Sequence, residues 1–97
     1  MIRHVVVITW RDDATAEQRQ QARDELATLP PLMRGLVSYT LGPDIGVNQG
    51  NADLAIVADF DDVQAYQAYR DHPAHVEVVS RSIAPIAAQR RAVQFEI

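Results

Sequence analysis

The opening stretch Ile2–Trp10 is apolar on both of its alternating sides, and this limits the fold more than any other feature of the chain. Val5, Val6, Val7 and Ile8 are β-branched, so the stretch predicts a strand. Successive side chains of a strand point to opposite faces. Ile2, His4, Val6, Ile8 and Trp10 then share one face, and Val5, Val7 and Thr9 the other. A strand apolar on both faces needs cover on both. One helical layer supplies one cover, and an apolar sheet face left open marks an interface.

The rest of the chain supplies that helical layer. Thr15 opens a helix with Gln18 three residues on, the spacing of a capping box. Ala22, Leu26 and Leu29 make its apolar stripe, and Pro30-Pro31 end it. Gly35–Gly42 predicts a second strand in which Val37, Tyr39 and Leu41 alternate with Ser38 and Thr40. The glycine- and asparagine-rich segment Pro43–Ala52 is a loop. Asp53–Phe60 is a third strand, with Leu54, Ile56, Ala58 and Phe60 on one face. Asp61 serves as an N-cap with Gln64 three on, and a short helix runs through Tyr69. His72-Pro73 interrupts it, and Pro73 suits the first position of a further helix to about Ile83. Arg90–Ile97, with Arg91, Val93, Phe95 and Ile97 alternating, is the last strand. The order is that of an α+β, ferredoxin-like βαββαβ unit, one domain over residues 1–97. A homodimer closed over Val5, Val7, Ala55 and Val57 provides the missing cover.

Composition removes several functions. The chain has no cysteine and no lysine among its 97 residues. Thiolate catalysis, disulfides, Schiff bases and a phosphate-loop lysine are therefore excluded. A net charge of −4 disfavours nucleic acid and anionic membrane as partners. No apolar run approaches membrane-spanning length, and no secretory leader follows Met1, so the expected location is cytoplasmic.

The candidate chemistry rests on three histidines and a tyrosine. His75 falls in the first turn of the Pro73 helix, where the positive helix end favours neutral imidazole, the form that serves as a general base. Tyr69 stands just before the break, where its hydroxyl can polarise a carbonyl. His4 shares the apolar face of the first strand, either as a hydrogen-bonded core residue or as part of a pocket. That pocket is expected between sheet and helices, lined by His4, Val6, Ile8, Ile56, Tyr69, His75 and Val79. His72 reads as a helix cap. His72 and His75 have metal-ligand spacing, but the motif holds no carboxylate, so no metal is expected. Asp61-Asp62 reads as a helix start, not as a catalytic pair.

Met1-Ile2-Arg3-His4-Val5-Val6, Gly35-Leu36-Val37-Ser38, Asp53-Leu54-Ala55 and Tyr69 through Val76 with its His72-Pro73-Ala74-His75 core run in the order of a known family. Over essentially its whole length the chain resembles the stress-responsive A/B barrel domain family, of the dimeric α/β-barrel superfamily. The resemblance implies a ferredoxin-like fold, and a homodimer whose sheets enclose a barrel. It implies no single function. One plant branch cyclises linear polyketides by aldol condensation without cofactor, and its catalytic His and Tyr fall on His75 and Tyr69, its pocket histidine on His4. The chain departs from that branch in two respects. Ala22, Arg23 and Leu26 stand where it has aromatic residues, and Gln94 stands at about the place of a carboxylate that orients the catalytic His.

Three functions share this fold and pocket. The first is cofactor-free acid–base chemistry on a small carbonyl compound, with His75 as base. The second is a module that holds a small hydrophobic molecule without chemistry. The third is a structural dimer of a stress response. The small cofactor-free monooxygenases of the same superfamily are a further option.

Overall fold

The computed structural model describes residues 1–97. Strands β1 (Ile2–Trp10), β2 (Leu36–Pro43), β3 (Leu54–Phe60) and β4 (Ala87–Glu96) form one sheet in the order β2-β3-β1-β4. Every neighbouring pair is antiparallel. Helices α1 (Ala16–Leu26), α2 (Val63–Asp71) and α3 (Pro73–Val78) lie on one side. This is the ferredoxin-like arrangement expected from the element order.

The core forms where the alternating faces place it. Ile8, Trp10, Leu54, Ile56, Ala58 and Phe60 of the central strands are buried against Ala22, Leu26 and Leu29. Thr15 caps α1 through a complete capping box: its hydroxyl accepts from the Gln18 amide, and the Gln18 side chain accepts from the Thr15 amide. Beyond α1, Pro30–Leu32 makes a short 3₁₀ turn. No helix is long and apolar enough to cross a membrane.

Four local expectations are corrected. The cap of α2 is Asp62, whose carboxylate accepts from the Ala65 amide, and not Asp61. Val37 does not share the inner face with Tyr39. Between Leu36 and Ser38 the register with β3 gains one residue, so Val37 is the bulged residue and stands exposed. The last strand begins at Ala87, before Arg90, because pairing with β1 extends to Trp10 through a second register shift. The helical run from Pro73 reaches Ile83, but Val79–Ile83 is a widened π turn, in which the Ala84 amide bonds the Val79 carbonyl at 2.8 Å.

β4 faces the opposite way from its apolar pattern. Gln94 pairs with His4, Ala92 with Val6 and Arg90 with Ile8, so these three occupy the helix side. Val93 and Phe95 lie on the open side, 55% and 45% exposed, beside Val5, Val7, Ala55 and Val57. Arg3 and Ser38 hold the buried Asp59 carboxylate at one end of that open face, the arginine through two bonds of 2.8 and 2.9 Å.

Candidate functional site

Because β4 turns a small residue and two polar ones inward, the helices do not close down on it. No β4 residue belongs to the buried core, and only Ala87 packs against it. The space left between β4, β1 and the α2–α3 segment is a cavity of about 600 Å³, open at one side. His4, Val6, Ile8, Ile56, Tyr69, His75 and Val79 all line it. Ordinary small-molecule sites span about 300–1,000 Å³.

His75 is placed by the break after α2. His72 takes extended backbone, and its Nδ1 accepts from the Ala74 amide at 3.0 Å, capping α3. Pro73 at the first helical position needs no amide partner. His75 then sits one turn in, and its Nδ1 lies 3.0 Å from the Arg70 carbonyl. A carbonyl only accepts, so Nδ1 carries the proton and Nε2 keeps its lone pair. Burial holds His75 below the ordinary imidazole value. The Arg90 and His72 charges push the same way, while the Arg70 carbonyl and Asp71 oppose them.

Tyr69 lies against this imidazole, with ring centroids 4.3 Å apart. The tyrosine is buried, packed edge-on to Tyr39 and against Phe60. Burial first, and then the neighbouring phenol of Tyr39, raise its proton affinity. The Tyr69 hydroxyl therefore stays protonated. His4 is buried on the same side, with Tyr66 at 4.9 Å and Tyr69 at 6.1 Å. Its Nδ1 accepts from the Gln94 side-chain amide at 2.8 Å. Desolvation, reinforced by the charge of His75, pushes His4 down to about 4.

The residue at the place of the orienting carboxylate thus serves a different histidine. Gln94 holds His4, and the Arg70 backbone holds His75. His4 and His75 share the cavity, whereas His72 is engaged in the α3 cap. No three His, Asp or Glu side chains converge. Sequence reasoning reached seven of the sixteen lining residues and missed nine, among them Tyr66, Arg70, Arg90 and Ala92. The last two belong to the inward half of the β4 alternation, which carries Arg90, Ala92 and Gln94.

The sequence matches the family described as stress responsive A/B barrel domain over residues 2–97. No curated protein sequence matches the chain. Among solved structures, a dimeric ferredoxin-like protein of unknown function from Thermobifida fusca is 41% identical, with a TM-score of 0.92 over 99% of this chain and 90% of that one. A hydroxynitrile lyase from Passiflora edulis is 16% identical, with a TM-score of 0.85 over 99% and 92% of the two chains. SnoaB, a cofactor-independent oxygenase from Streptomyces nogalater, is 14% identical, with a TM-score of 0.77 over 99% and 91%. These two share the fold with the present chain. The match over all but its first residue makes this chain a member of the stress responsive A/B barrel domain family.

Proposed function

We propose that the chain, a single domain acting as a cytoplasmic homodimer, performs acid–base chemistry on a small carbonyl compound in the cavity, without a cofactor. The observation that carries this reading is the fixed tautomer of His75, whose unprotonated Nε2 is left in the wall of an apolar cavity beside a protonated phenol. His75 Nε2 takes a proton from the carbon next to a carbonyl. The C–H electron pair moves into the new C=C bond, and the carbonyl π electrons move onto oxygen. The Tyr69 hydroxyl donates to that oxygen as charge develops. The enolate then attacks a second carbonyl, and the alkoxide so formed takes the proton back from His75. His4, neutral and held by Gln94, orients the substrate, with Val6, Ile8, Ile56 and Val79 as apolar walls.

The dimer is supported by the open face carrying Val7, Val93 and Phe95, and by the dimeric state of the Thermobifida fusca protein. A second reading is a binding module without chemistry. It is favoured by the lining of the cavity, which has no carboxylate to balance an imidazolium at His75.

The test is turnover of small 1,3-dicarbonyl and polyketone compounds by the purified chain. On any compound turned over, His75→Ala is expected to lower kcat by about 10² or more with the fold intact, and Tyr69→Phe by less. Near-full activity of His75→Ala overturns the assignment. Binding of such compounds with no turnover selects the second reading.

A further inference from the structure

We propose that the cavity takes an apolar molecule ending in a single carboxylate, and that Arg90 receives that carboxylate. The inference rests on the reading of the cavity as a ligand site, and adds the class of ligand.

The first observation is where the arginine stands. Arg90 pairs in register with Ile8, on the helix side of β4, and lines the cavity. The second is that it has no partner. The ion pairs of the molecule engage Arg3, Arg11, Arg70 and Arg81, and Arg90 makes neither an ion pair nor a side-chain hydrogen bond. Arg70, the other arginine of the lining, is already held by both oxygens of Asp71 at 2.9 and 3.0 Å.

The third observation is the charge of the lining against that of the chain. Acidic residues outnumber basic ones, 13 to 9. Yet none of the sixteen residues around the cavity is acidic, and two are arginines. A free guanidinium thus stands in a lining that itself holds no carboxylate. One unpaired cation matches one negative charge, not a polyphosphate. The planar fork of a guanidinium fits the two oxygens of a carboxylate. The remaining wall is mostly hydrophobic, eleven residues of sixteen, so the body of the ligand is apolar.

The experiment titrates the full chain with 2-naphthoate and with its uncharged counterpart 2-naphthamide, followed by calorimetry and by backbone amide shifts. Naphthoate is expected to bind about tenfold more tightly or better, an increment of about 1.4 kcal/mol or more. Arg90→Gln is expected to bring naphthoate to the naphthamide level and leave naphthamide unchanged. Arg90 is exposed on an edge strand, so the variant keeps the fold, which circular dichroism checks. Arg90→Lys, which keeps the charge and loses the fork, is expected to fall between. Equal binding of the two probes to the unaltered chain overturns the proposal while the cavity reading stands. So does a naphthoate preference that survives Arg90→Gln. Failure of both probes to bind, with no shift at Ile8, Ile56 or Val79, overturns the cavity reading and this proposal with it.

Discussion

His4 and His75 line one cavity and carry their ring protons on opposite nitrogens. Nδ1 of His4 accepts from Gln94, so its proton is on Nε2, whereas Nδ1 of His75 faces a carbonyl and keeps its own proton. Both are neutral at pH 7, since burial lowers each below the ordinary value. The folded chain therefore binds fewer protons than the unfolded chain between the ordinary imidazole value near 6.5 and the His4 value of about 4. Stability is full above that window and falls as pH drops through it, by on the order of 2–3 kcal/mol from His4. Urea unfolding at stepped pH is expected to show this slope, and His4→Gln to flatten most of it. His72 has a different task. His72→Ala removes the α3 cap and is expected to cost about 0.5–2 kcal/mol without changing the cavity. His75 and His72 were legible because His72-Pro73 fixes where a helix begins, and a helix start tells which residue caps and which lies one turn in. The Gln94–His4 bond was not legible. It joins residues 90 positions apart through a strand register that no local pattern encodes.

Among the elements, the π turn Val79–Ile83 shapes the cavity most directly, since Val79, Ser80 and Ile83 line it. It is tied to α1 by Glu25, whose carboxylate accepts from the Ser82 hydroxyl and, at 2.8 Å, from Arg81. Arg81 also reaches Glu77 at 2.9 Å. Glu25→Ala is expected to lower stability by about 1.5–3 kcal/mol, the usual worth of hydrogen bonds to a charged group. It is also expected to weaken ligand binding without touching the ligand. Gly35 makes a second junction. Its φ is +75°, and a Cβ there would stand 2.7 Å from the Ala65 Cβ of α2. Gly35→Ala is therefore expected to lower the melting temperature, at a cost of about 1–3 kcal/mol. The π turn was hidden in the sequence, because the apolar spacing over Pro73–Ile83 fits a helix whether its last turn is widened or not. The bulge at Val37 was hidden for a related reason: period-2 alternation is lost at a single inserted residue, and a run as short as Leu36–Leu41 cannot show where.

For the whole molecule, the order of strands and helices followed from alternation, caps and prolines. The open apolar face was legible in Ile2–Trp10 and in Asp53–Phe60. The facing of β4 was not, because alternation tells which residues share a side and not which side the helices cover. The resolved facing extends the open patch from Val5 and Val7 to Val93 and Phe95. Light scattering on the purified chain is expected to give a dimer mass at micromolar concentration, and Val7→Glu/Val93→Glu a monomer of lower melting temperature. The inward side of β4 has the converse property. Ala92→Leu is expected to fill the cavity and abolish binding of apolar probes while leaving the melting temperature nearly unchanged, because no packed neighbour must move. The β4 positions that line the cavity, Arg90 and Ala92, with Gln94 behind them, are thus separate from the buried core. Under the proposed function, mutation there is filtered by what the cavity must hold and hardly at all by whether the chain folds. Such a chain can drift from one small molecule to another through folded intermediates, so its ancestry is better preserved in its core than in its chemistry.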